Sequence, residues 1–200
     1  LLLLMLTERI VAAGGKMIQI NTDGILYLFD KDKLDKLNEI LHQWELETKL
    51  VLETDEFEAF YQYAINDYLG VLKGFSESKD YKLLKRKGLF IDEVSLGKGM
   101  QPVIIPKALT EYFINGTPVE ETIRNCKNLN HFITYQKVSR DYKVEYNTKL
   151  ISRINRYYAS TNGHYLFKCK VDNEGRRSDY NHMLKASGVT IVNNLQELQA

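Results

Sequence analysis

Cysteine is nearly missing from this sequence, and that scarcity excludes a good deal. The two cysteines, Cys126 and Cys169, stand in unrelated contexts without metal-ligand spacing. Such a chain is neither a disulfide scaffold nor a structural zinc module, and free thiols in a reducing compartment are expected. The four histidines, His42, His131, His164 and His182, are scattered and form no His-x-x-x-His pair, which leaves them as surface or core residues. Long apolar runs are absent as well. Leu1-Leu2-Leu3-Leu4-Met5-Leu6 gives way to Thr7-Glu8-Arg9, far short of the about 20 residues that cross a bilayer. No basic n-region precedes the leucines and no convincing cleavage site follows, so a signal peptide is a poor fit. No internal repeat or low-complexity tract appears.

What is present is a globular composition. Hydrophobic residues make up 44% and charged residues 26% of the 200 positions, enough apolar material for a sizeable core in one domain or two small ones. The formal net charge of +1 hides a division along the chain. Acids outnumber bases over residues 30–67, and the balance reverses over 73–98 and 137–185. Such asymmetry gives faces suited to different partners, or simply solvated surface.

The most informative stretch is Lys16-Met17-Ile18-Gln19-Ile20-Asn21-Thr22-Asp23-Gly24-Ile25-Leu26-Tyr27-Leu28-Phe29. Two runs rich in Ile, Leu and aromatics flank an Asn-Thr-Asp-Gly corner, which predicts a β-hairpin. Asp-Gly is expected to supply the positive φ of a two-residue turn. Asp23 then sits at the tip of a rigid support. It is either a turn former or a hard oxygen ligand, since Mg²⁺ keeps its waters and binds substrate phosphates through few protein groups.

Around that hairpin the patterning predicts an α+β chain. Residues 1–13 read as a buried helix ended by Gly14-Gly15. Asp30 or Asp32 caps a second helix running to Glu47, with Leu34, Leu37, Ile40, Leu41 and Trp44 on one side. Strands are expected over residues 50–53, 56–63 and 68–72, and residues 81–88 pair with the last of these across a loop at 73–79. Pro106 opens a helix that stops at Asn115-Gly116. Thr117, with Glu120 reaching back, is expected to cap the next helix. Residues 131–138 read as a strand, 172–178 as a loop and 189–192 as a closing strand.

Asn21-Thr22-Asp23-Gly24 on such a hairpin resembles motif C of family B DNA polymerases, where an Asp-Thr-Asp sequence stands on a palm hairpin. The family's metal-binding carboxylate falls on Asp23, and Asn21 replaces the other one. Downstream, Ile65-Asn66-Asp67-Tyr68 is similar to the Lys-x-Tyr element beside the primer terminus, matching at Tyr68 and not at the lysine. Lys85-Arg86-Lys87-Gly88-Leu89 is similar to the following basic strand, and Ile105-Pro106-Lys107-Ala108-Leu109 to the thumb entrance. The likeness covers residues 1–138 in the family's order and is greatest to the divergent polymerases of tailed bacteriophages.

That resemblance implies a palm-like antiparallel sheet with covering helices, then a small helical thumb and a basic, aromatic-rich C-terminal lobe. Residues 1–101 would be the palm remainder and 102–200 the thumb and lobe, with Gly97-Lys98-Gly99 and Pro102 at the boundary. It implies a DNA-directed DNA polymerase that transfers nucleotides to a primer 3′ end in viral DNA replication. Two Mg²⁺ ions, primer-template DNA and deoxynucleoside triphosphates would be its cofactors and partners, in the host cytoplasm and away from membranes. The apolar helix begins without a cap, so the chain is expected to be the C-terminal portion of a longer polypeptide that supplies exonuclease, fingers and the rest of the palm, and to be inactive alone.

Other basic residues carry open readings. Lys85, Arg86 and Lys87 suit phosphate contact or the protection of an edge strand. Tyr68 suits support of a primer end or half-buried packing. Lys107 suits a phosphate or solvent. Arg153 and Arg156, interleaved with tyrosines, suit nucleic acid or a basic surface. The competing functional reading is a non-catalytic nucleic-acid-binding module, and beyond it a purely structural lobe.

Overall fold

Leu6 and Ile10 lie four positions apart, one helical turn, and both are fully buried. They anchor the first helix, α1 (Leu2–Ala12), against Leu37 and Trp44 of α2 (Leu34–Thr48). Between these helices runs the hairpin of β1 (Lys16–Ile20) and β2 (Ile25–Leu28), paired antiparallel. Its inner residues Met17, Ile25 and Tyr27 pack on the same cluster. Burying side chains such as Leu6, Ile10 and Leu37 is worth roughly 1.5–3 kcal/mol each. Trp44 belongs to this core, as its place in the apolar stripe predicts, and its indole N–H donates to the Leu2 carbonyl at 2.9 Å.

The computed structural model describes residues 1–92, 100–184 and 188–193. It is mixed α+β, with small antiparallel sheets and several helices. The chain forms two compact units, Leu1–Arg86 and Lys87–Ala200. The markers Gly97-Lys98-Gly99 of the expected boundary lie outside the described residues. Among the described residues no helix is long and apolar enough to cross a membrane.

In the first unit, β3 (Phe57–Ala64) and β4 (Asp67–Leu72) make an antiparallel pair, and β5 (Leu84–Lys87) joins the far side of β4. The expected loop at 73–79 contains a short helix, α3 (Phe75–Ser78). The Glu58 carboxylate holds its start, accepting from the backbone N–H groups of Gly74 at 2.7 Å and Ser76 at 3.0 Å. Two expectations fail here. Residues 50–53 are not a strand, because the N–H of Leu52 goes to the Glu45 carboxylate and that of Leu50 to the Thr48 hydroxyl, not to a ladder. The fifth strand starts at Leu84, not Tyr81, because Asp80 accepts from Lys82 N–H and winds residues 81–83 into a 3₁₀ turn.

In the second unit, α4 (Ile104–Asn115) ends at Gly116, whose φ of 70° is the left-handed conformation that favours glycine. The N–H of Thr117 then closes on the Glu111 carbonyl at 3.3 Å, so Thr117 ends α4. The expected capping box is not formed. Pro118 precedes α5 (Val119–Asn125), and Glu120 pairs with Arg124 at 2.6 Å.

Two sheets follow. The first orders β11 (Arg177–His182), β10 (Leu166–Val171), β7 (Lys143–Tyr146) and β8 (Lys149–Ile151). The second orders β12 (Val189–Ile191), β9 (Ile154–His164) and β6 (Thr134–Lys137). Val138, Val144, Tyr157, Leu166 and Val189 form their buried cluster.

Candidate functional site

Asp23 stands at the tip of the β1–β2 hairpin, and its side chain is exposed. The turn beneath it differs from the expected two-residue type. Ile20 pairs with Ile25, so residues 21–24 make the connection, and neither Asp23 nor Gly24 has positive φ. Asn21 explains why. Its side-chain oxygen accepts from Asp23 N–H at 3.0 Å and Gly24 N–H at 2.7 Å, and its own N–H donates to the Gly24 carbonyl at 2.9 Å. A side chain that satisfies two loop amides removes the need for a left-handed backbone. Asn21 is half-buried and turned into the loop, Thr22 is exposed, and Asp23 carries the outward carboxylate.

Below the tip the hairpin is firmly based. Burial pushes the Tyr27 phenol above its ordinary value. The register of β1 against β2 shifts between Met17 and Gln19. Gln19 reaches the turn of the neighbouring hairpin, donating to the Ile65 carbonyl at 3.4 Å and accepting from Gln62. Gln62 lies opposite Tyr68 in the β3–β4 register. The structure therefore links the Asp23 hairpin to β3 and the β3–β4 turn, next to the strand that carries Tyr68. Tyr68 is half-buried, its ring 4.9 Å from that of Phe60.

The basic run is less open than its sequence suggests. Lys85 is exposed but ion-paired with Asp55, while Arg86 and Lys87 are half-buried. Any phosphate at Lys85 would have to displace Asp55, an exposed pair worth no more than about 1 kcal/mol.

The other candidates belong to the second unit. Lys107 is exposed on α4. Arg153 is half-buried just before β9, its carbonyl accepting from Val138 N–H at 3.0 Å. Arg156 lies over the Tyr135 ring, 5.3 Å from its centroid, a cross-strand cation–π pair. Sequence reasoning missed what holds that arginine's strand. Asn155 is completely buried, donates to the Ser152 carbonyl at 2.6 Å and accepts from Asn193 at 3.0 Å. Asn193 in turn accepts from Arg156 N–H at 2.9 Å. A buried amide within an Ile-Asn-Arg run leaves no periodic signal to find.

The donor set bears on the metal expected from the resemblance. Among the described residues no three His, Cys, Asp or Glu side chains converge. The Asn21 oxygen is already occupied by two loop amides. What this chain offers a cation at the hairpin tip is one outward carboxylate, that of Asp23. Both cysteines are free, and burial pushes the Cys169 thiol up. Comparison with protein-family models, curated proteins and solved structures finds no match to this chain.

Proposed function

We propose that this chain is the palm remainder and thumb of a DNA-directed DNA polymerase acting in viral DNA replication, and that Asp23 is one of its palm carboxylates. The observation that carries the reading is the exposed Asp23 side chain on a loop whose amides are tied down by Asn21. A catalytic carboxylate must be held in place before substrate arrives, and that bonding supplies the order. Bound Mg²⁺ would stabilise the charge that develops at the α-phosphate of the incoming nucleotide. Asn21 orients the loop, and Asp23 offers its oxygens outward. Tyr68, on the strand paired with the one that Gln19 holds, supports the primer end. Lys107, Arg153 and Arg156 neutralise backbone phosphates without reading bases, which suits an enzyme that copies any sequence. The remaining ligands, the fingers and the exonuclease belong to upstream parts of the polypeptide, so the isolated chain is inactive, and the host cytoplasm is its compartment.

The test is Asp23→Ala in the intact polymerase. Single-nucleotide incorporation should fall by about a hundredfold or more, equivalent to roughly 3 kcal/mol of transition-state stabilisation, with primer-template affinity unchanged. Incorporation within a few fold of the parent refutes the role. A second reading, a non-catalytic nucleic-acid-binding module, draws on the exposed Lys107 and the ring-stacked Arg156. It predicts DNA binding whose log affinity falls steeply with log salt and an Asp23→Ala variant with no phenotype.

A further inference from the structure

Four rings share one face of the β10–β11 pair. Side chains two apart on a strand fall on the same face, which groups Tyr165 with Phe167 and Tyr180 with His182. Phe167 and His182 are direct cross-strand partners. The rings form a continuous set, with centroids at 5.3 Å for Tyr165–His182, 4.4 Å for Phe167–His182 and 5.7 Å for Phe167–Tyr180. The core uses the opposite face, through Leu166 and Val144. The ring-bearing face covers Cys169, which is completely buried, and is open at its outer rings: Tyr165 is 53% and Tyr180 48% exposed, and every residue of β11 is exposed.

Charge surrounds the rings. Glu145, opposite Phe167, is neutralised by Arg177 at 2.6 Å and also accepts from the Tyr180 hydroxyl at 3.1 Å. Lys143, two residues from Glu145 on β7, adds an exposed cation. Lys143 shares the ring-bearing face with Glu145, since both alternate with the buried Val144. A row of exposed rings in a cationic region suits a polyanion whose units are flat and aromatic. Single-stranded nucleic acid supplies both parts in one ligand, flat bases for the rings and phosphates for the cation.

We infer that this sheet face binds single-stranded nucleic acid, with unpaired bases stacking on Tyr165, Tyr180 and His182 and the phosphates meeting Lys143, while Arg177 stays on Glu145 and keeps that carboxylate from repelling them. Base–aromatic stacking tolerates any sequence because every base has a π-face. The site lies in the second unit and does not depend on Asp23, so it stands or falls apart from the polymerase reading.

The test uses the full chain and a fluorescein-labelled oligothymidylate, with a fully abasic strand of equal length as the second probe. The oligothymidylate should bind and the abasic strand should bind much more weakly. Tyr165→Ala and Tyr180→Ala should each weaken oligothymidylate binding roughly five- to a hundredfold, while Tyr165→Phe and Tyr180→Phe retain it. Equal affinity for the abasic strand overturns the inference without recourse to any variant. Unchanged binding by a folded Tyr165→Ala/Tyr180→Ala chain also overturns it, as does sedimentation showing this face covered by a second copy of the chain.

Discussion

The two hairpins β1–β2 and β10–β11 use the same backbone pattern to expose opposite kinds of chemistry. In the first, one face is taken up by the helical core, where Met17, Ile25 and Tyr27 pack against α1 and α2. What it offers for chemistry is its tip, a single carboxylate on an amide-locked loop. In the second, support comes edge-on from β7 and the core takes the face of Leu166, which leaves the other face free to carry rings and cations. The direction from which a hairpin is supported decides whether it offers a point or a surface.

The comparison can be broken most forcefully at the support of the first hairpin. Trp44→Ala empties the centre of its core and should cost about 3–5 kcal/mol in chemical denaturation. A loss under 1 kcal/mol would mean that the hairpin is not held by that core. In the second unit, a Cβ on Gly163 would collide with the backbone carbonyl of Val189, which cannot swing aside as a side chain can. Gly163→Ala should therefore cost about 1–3 kcal/mol and raise hydrogen exchange in β9 and β12. Asn21→Ala removes the bonds that order the Asp23 loop and should lower stability by about 1 kcal/mol, with Asn21→Asp closer to the parent because its carboxylate accepts the same two amides. Equal loss in both variants would show that these hydrogen bonds are not what holds the tip.

The smallest effect is one of pH. The Ser76 hydroxyl, with the Gly74 and Ser76 amides, holds the exposed Glu58 carboxyl below its ordinary value. A lowered folded-state value gives stability that is present above the ordinary glutamate range and lost as pH falls through the lowered value. The melting-temperature gap between the parent and Glu58→Gln should thus be widest near neutral pH and close under acid. A gap independent of pH would contradict the assignment.

Much of the fold was legible because it rests on local periodicity. The stripe of Leu37, Ile40, Leu41 and Trp44 marked α2, the alternation in β3 marked a strand, and Pro106 with Gly116 bracketed α4. What failed were places where a side chain takes over a backbone bond. Asn21 replaced the expected turn, Glu45 and Thr48 drew residues 50–53 out of any ladder, and Thr117 closed one helix instead of opening the next. Of the candidate site, the exposed carboxylate of Asp23 was legible from its hairpin. The Asp55 partner of Lys85 and the ring set of β10–β11 were not, because Asp55 lies in irregular chain 30 residues away and the rings meet only when β10 and β11 pair.

The most direct test of the central claim separates the charge of Asp23 from its shape. Asp23→Asn keeps the size of the side chain and the Asn21 hydrogen bonds while removing the negative charge. If the proposed polymerase function holds, pre-steady-state incorporation of one nucleotide by the full-length polypeptide should fall by about a hundredfold or more at unchanged primer-template affinity. Incorporation within a few fold of the parent, from a variant that folds normally, would mean that the hairpin tip is only a turn.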